Sequence, residues 1–207
     1  LILMQNINKI INGKIYADSL LKEILPLSSN YSDKFLRNPC LAVILVGEDS
    51  ASKIYVKNKL LTAERNNIKS IEIKLLKETT EEHLLNEISK LNKDTNVDGI
   101  LVQLPLPVHI SEKLVIQSIN PLKDVDGFHP TNFGTLFMGD PNFIPCTPLG
   151  CFYMLKKELK NLDGKNAVII GRSNIVGKPM ASLLLLSNCT VTVTHSKTKN
   201  LREHCRN

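Results

Sequence analysis

NAVIIGRSNIVGKPMASLLLLSNCTVTVTH, residues 166–195, holds a short apolar run, a glycine-bounded turn, a helical stretch and a second β-branched run. NAVIIG reads as a strand, RSNIVG as a turn, KPMASLLLLSN as a helix and TVTVTH as the next strand, which together make one βαβ unit. A unit of that kind needs a parallel sheet with helices against its faces.

The same alternation runs through the chain ahead of it. An amphipathic helix is expected over roughly Ile15 to Leu27, then CLAVILVGED as a buried strand, SKIYVKNKLLTAERNNI as a helix and SIEIKLL as a strand. TTEEHLLNEISKLNKD follows as a helix with a threonine cap and an acidic first turn, GILVQLP as a buried strand, and SEKLVIQSI as a short helix. The fold class is α/β, with a parallel sheet covered on both faces. From Asn120 to about Gly150 the chain carries five of its ten prolines and reads as a loop-rich hinge between two units. Only one βαβ unit follows the hinge, whereas an open doubly wound sheet normally uses two half-units.

A chain of 207 residues can bury a sizeable core. The net charge of +6 points to an anionic partner, but Lys and Arg are interspersed with Asp and Glu and aromatic residues are few, so a small anionic ligand fits better than nucleic acid. Five cysteines without a C-x-x-C pair indicate neither a disulfide framework nor a zinc site; no metal is expected, and a reducing cytoplasm is the expected location. No apolar run approaches the roughly 20 residues of a membrane helix. The opening LILM is too short for a signal peptide, and Met4 is a candidate start.

Five stretches carry polar groups where chemistry could occur. Gly171 to Pro179 joins a strand to a helix, and N–H groups at a helix start attract phosphate, although the spacing is not G-x-G-x-x-G; an ordinary βα turn fits equally. Arg172 suits either a 2′-phosphate or solvent. Gln103 interrupts an apolar strand at its carboxyl end, the end that faces the crevice in parallel sheets, yet backbone partners could satisfy it. PLKDVDGFHPTNFG, residues 121–134, and PCTPLG, residues 145–150, read as turns. In ASKIYVKNK, residues 51–59, Lys53 and Lys57 lie near one azimuth while Tyr55 and Lys59 lie on the roughly opposite one. Val56, Leu60 and Ala63 form an apolar strip between them, so periodicity leaves open which lysines border the core.

Taken in order, ASKIYVKNK, DGILVQLPLP, PLKDVDGFHPTNFG, PCTPLG, GRSNIVGKPMASLLL and TVTVTHSKT resemble the bifunctional methylenetetrahydrofolate dehydrogenase/cyclohydrolase family, over about Asn12 to Thr198. The resemblance implies a folate catalytic domain over 1–144 and the first half of a Rossmann-like NAD(P)-binding domain over 145–207, with a cleft between them and a homodimer. It implies Lys59 as the catalytic lysine, Tyr55 as the ring that stacks on folate, Gln103 as the lysine's partner and Asp126, the second aspartate of D-V-D-G, as the pterin's carboxylate. Gly171, Arg172, Ser173 and Ser196 would contact the cofactor, NADP, with Arg172 and Ser196 placed for the 2′-phosphate; His195 would be only a strand-end residue. The reaction implied is oxidation of 5,10-methylenetetrahydrofolate with NADP and hydrolysis of the methenyl product to 10-formyltetrahydrofolate. Family members run on past the point matching Asn207, so a nicotinamide pocket completed by later residues is expected. The alternative is a folate-binding or dimer-forming remnant without catalysis.

Overall fold

The computed structural model describes residues 10–206; Met4 lies outside them. CLAVILV becomes the central strand β1 (Cys40–Val46), because an unbroken apolar run is stable only where both faces are covered. It pairs in parallel with β2 (Lys69–Leu75) on one side and β3 (Gly99–Val102) on the other, in register Cys40 with Lys69 and Leu41 with Gly99.

One face of β1, with Ala42, Ile44 and Val46, packs on Leu84, Ile88 and Leu91 of α3 (Glu81–Lys93) and on Val115 of α4 (Glu112–Ser118). The opposite face, with Val43 and Leu45, meets Val56 of α2 (Ser50–Arg65). The expected threonine cap forms, Thr80 Oγ1 accepting from the His83 N–H at 3.2 Å, and α2 starts on a second cap, Asp49, which accepts from the Ser52 N–H at 2.7 Å.

Helix α1 (Gly13–Phe35) outruns the expected Ile15–Leu27 and carries Pro26 inside it. Proline removes the N–H that would reach the Lys22 carbonyl, yet the helix continues; the Ser28 and Ser29 hydroxyls donate to a different carbonyl, that of Leu25, at 2.9 and 3.0 Å. Arg37 just beyond it forks onto Asp98 beside β3, and Tyr31 donates to the same carboxylate, so α1 is tied to the sheet.

The expected loop from Asn120 to Gly150 is in fact partly helical. It contains α5 (Pro130–Met138) and the start of α6 (Cys146–Leu159). Of the five prolines, Pro130, Pro145 and Pro148 stand at helix starts, where a fixed φ and a missing N–H cost nothing, whereas Pro121 and Pro141 lie outside the helices; Gly139 ends α5 in the left-handed region.

The opening stretch forms β4 (Asn166–Ile170), α7 (Gly177–Leu185) and β5 (Thr190–Thr194), the two strands parallel with Asn166 opposite Thr190. Ala167, Ile169 and Val191 pack on Phe152 and Leu155 of α6 and Met180 and Leu184 of α7. In this pair, among the described residues, Thr194 is the one buried residue of either strand, and Ile170 is largely exposed. A short helix α8 (Leu201–His204) closes the described chain.

Candidate active site

Helix α2 settles what periodicity left open. Val56 is 1% exposed and seats the helix on the sheet, which turns Tyr55, Asn58, Lys59 and Thr62 into a cavity of about 910 Å³. Lys53 faces away and pairs with Glu48, and Lys57 is exposed. Lys59 Nζ donates to Gln103 Oε1 at 3.1 Å. Gln103 sits just past β3, its N–H donating to the Ile44 carbonyl at 2.9 Å and its Nε2 to the Leu104 carbonyl at 2.7 Å. With its amide so engaged, the Gln103 oxygen is aimed at the lysine. Tyr55 is 63% exposed, its ring standing free at the cavity wall.

The third wall is the D-V-D-G turn. Asp126 and Phe128 line the cavity, whereas Asp124, two residues away, is buried behind them. Burial pushes the Asp126 carboxyl up; Lys59 opposes this and Asp124 adds to it. Gly127 has φ +67°, and a Cβ there would stand 2.9 Å from the Ile144 carbonyl carbon and the Pro145 nitrogen, so only glycine fits the crossing.

The residue reading passed over Cys146 at the start of α6. The residue as a whole is open to solvent, but its sulphur lies among the cavity walls, 3.7 Å from the Val125 carbonyl. That burial pushes its thiol up, the Asp126 charge adding to the effect.

The glycine turn lies at the carboxyl ends of β4 and β5. Gly171 has φ +122° and its N–H donates to the Thr194 carbonyl at 2.8 Å. Ser173 Oγ accepts from the Val176 and Gly177 N–H groups at 3.2 and 3.3 Å. Arg172 is exposed, and among the described residues it has neither an ion pair nor a hydrogen bond from its side chain. Ser196 is exposed in the turn after β5, where the Thr198 N–H donates to the His195 carbonyl at 2.8 Å. Gly177 also escaped the residue reading: a Cβ there would lie 2.3 Å from the Gly171 oxygen, so the turn closes only on glycine. The turn's second glycine was its signal. Ile175, from the same turn, lines the cavity with Lys59 and Asp126, so the two halves of the chain share one cleft.

The sequence profile described as tetrahydrofolate dehydrogenase/cyclohydrolase, catalytic domain, matches residues 11–126, and that of the family's NAD(P)-binding domain matches residues 145–207. The bifunctional protein FolD 2 of Ectopseudomonas mendocina is 54% identical over 198 residues, covering 96% of this chain and 65% of that protein. The chain thus spans just under two thirds of that relative's length. Among solved structures, the bifunctional FolD methylenetetrahydrofolate dehydrogenase/cyclohydrolase of Campylobacter jejuni superposes with a TM-score of 0.90 at 47% identity, covering 94% of this chain and 69% of that one. The Trypanosoma brucei methylenetetrahydrofolate dehydrogenase-cyclohydrolase, solved with NADP and an inhibitor, gives a TM-score of 0.90 at 32% identity, covering 95% and 68%. With both profiles matched in order along a chain whose cleft joins the two parts, this protein belongs to the tetrahydrofolate dehydrogenase/cyclohydrolase family.

Proposed function

We propose that this chain oxidises 5,10-methylenetetrahydrofolate with NADP and hydrolyses the methenyl product to 10-formyltetrahydrofolate, with residues 1–144 as the folate domain and 145–207 as part of the nucleotide domain. The observation that carries this reading is the Lys59–Gln103 hydrogen bond at 3.1 Å inside a cavity that Tyr55 and Asp126 also line.

The residues fit their assigned tasks. Tyr55 offers a flat apolar face to an aminobenzoyl ring, and Asp126 offers its carboxyl to the pterin. In the hydrolytic step water adds to the cationic methenyl carbon and sheds both its protons in turn, while the departing ring nitrogen gains one; overall one proton is released. An amine over that carbon can carry both transfers, and Gln103 orients it without adding charge. The excess of basic residues suits the substrate's glutamate tail.

The turn fits a dinucleotide phosphate. Glycine at 171 and 177 lets the backbone approach closely, and the exposed Arg172 and Ser196 each follow by two residues the paired strand ends Ile170 and Thr194. Bound there, NADP would accept the substrate's hydride. Among the described residues no helix is long and apolar enough to cross a membrane. Five free thiols suit a reducing cytoplasm, and the exposed Phe137, Met138, Leu185 and Leu186 on α5 and after α7 suit burial in a homodimer. A binding remnant has no observation in its favour, since the lysine and glutamine of the proposed chemistry are paired.

The near-ultraviolet absorbance of methenyltetrahydrofolate tests the reading. The chain should accelerate its loss in water, and should form it from the methylene substrate only when NADP is present. Binding of folate with neither change would support the remnant instead.

A further inference from the structure

Asp124 belongs to the same four-residue motif as Asp126 but faces the other way. It is 2% exposed, and among the described residues it has no ion pair. Its Oδ2 accepts from the His129 N–H at 2.8 Å and from Asn132 Nδ2 at 2.9 Å. Its own carbonyl accepts from the Gly127 N–H at 3.1 Å. Behind it the backbone is bridged to β3, Ile100 donating to the Lys123 carbonyl at 2.7 Å. One carboxylate thus closes the loop from 124 to 129, and the residues inside that loop that line the cavity are Val125, Asp126 and Phe128.

Asn132 serves this carboxylate alone with the loop backbone. It is fully buried, its Nδ2 bonds both Asp124 and the Pro121 carbonyl at 2.9 Å, and its Oδ1 has no partner. Two acceptors on one nitrogen fix which way the amide points. Leaving a buried carbonyl oxygen unsatisfied costs about 1–3 kcal/mol, a cost that an apolar residue at 132 would avoid.

We propose that Asp124, seated by Asn132, is a positioning residue that holds the turn presenting Asp126 and Phe128 to the pterin and supplies a fixed negative charge behind Asp126. An asparagine at 124 would accept the same hydrogen bonds, so shape alone does not require a buried charge there. The charged or titratable groups that act on Asp126 are Lys59 from α2, which favours its ionised form, and Asp124, which opposes it; Cys146 from α6 feels Asp126 in turn. The assignment of Asp126 to the pterin rests on the proposed function, whereas the seating of Asp124 does not.

The test compares Asp124→Asn, which keeps the acceptors and removes the charge, with Asp124→Ala, which removes both. Carboxyl carbon NMR titration of the 207-residue chain reads Asp126 without ligand, Asp126→Asn identifying its resonance, and calorimetry reads binding of 5-formyltetrahydrofolate against pH. Asp124→Asn should melt close to wild type, with Asp126 titrating at lower pH and the binding profile displaced the same way. Asp124→Ala should melt lower and lose about tenfold or more in affinity through the misplaced turn. Asn132→Ala keeps the charge and loses one mooring, so affinity should fall while Asp126 titrates near its wild-type pH. The proposal is overturned if Asp126 titrates unchanged in Asp124→Asn, or if Asp124→Ala and Asn132→Ala bind as wild type does. A displaced Asp126 titration in a chain that binds no folate would uphold the charge of Asp124 and count against the folate reading.

Discussion

Lys57 and Lys59 are two residues apart on one helix, yet one is solvated and the other touches Gln103 across 44 positions of sequence. Periodicity could place them on opposite sides but not say which side met the cavity, because Val56 borders both and its seat depends on β1 and β3, elsewhere in the chain. Asp126 has a consequence that can be read from pH. Its carboxyl is raised by burial first, so between the ordinary aspartate value of about 3.9 and its raised folded value the native chain holds a proton that the unfolded chain has lost. Stability therefore falls as pH rises through that window. Asp126→Asn should remove this decline, melting higher than wild type near neutral pH while folate binding weakens; melting curves from acid to neutral pH check both. Arg172→Ala should weaken NADP by about tenfold or more and NAD far less, since only the former offers a 2′-phosphate to the guanidinium. Titrating both cofactors decides it, and equal losses would remove Arg172 from that role.

At the scale of elements the strands and most helices were legible, because β1 is an unbroken apolar run, α3 has a strong apolar period behind its threonine cap, and β-branched runs flank α7. Legibility failed where punctuation has two meanings. Pro130 and Gly139 mark the two ends of α5 as readily as they mark a loop, and Pro26 reads as a stop although α1 runs through it to Phe35. At Gly177 the glycine itself was visible but its necessity was not, since the crowding comes from the Gly171 carbonyl across the turn. Gly177→Ala should cost about 2 kcal/mol or more, seen as a lowered melting temperature and weakened nucleotide binding together. The tie between α1 and β3 is also testable. Arg37, hydrogen-bonded to Asp98, holds that carboxyl down to about 2, with Tyr31 and the Cys40 N–H helping against desolvation. A depressed aspartate stabilises the fold above its unfolded value near 3.9 and loses that contribution as pH falls toward the folded one. Asp98→Asn should lower stability at neutral pH by about 1–3 kcal/mol, discounted for its partial exposure, and flatten the acid limb of the stability profile between those values.

For the whole molecule the governing feature is that the two units open onto one cleft. Helix α1 reaches α6, Tyr16 bonding Glu158 and meeting the Tyr153 ring edge-on at 6.2 Å, while Ile175 of the nucleotide turn completes a wall begun by α2 and β3. Nothing in local sequence specifies that closure; it follows from packing between residues far apart in the chain. The central claim is that Lys59 works in this cleft while the other lysines of the same stretch of α2, Lys53 and Lys57, do not. The most direct measurement is hydrolysis of methenyltetrahydrofolate, followed by its near-ultraviolet absorbance, for the chain and its Lys59→Met, Lys53→Met and Lys57→Met variants, each first shown to melt like wild type. Methionine keeps most of the apolar stem and removes the amine, so Lys59→Met should hydrolyse about 10²-fold or more slowly while the other two stay near wild type. Near-normal turnover by Lys59→Met, or an equal loss in Lys57→Met, would contradict the account.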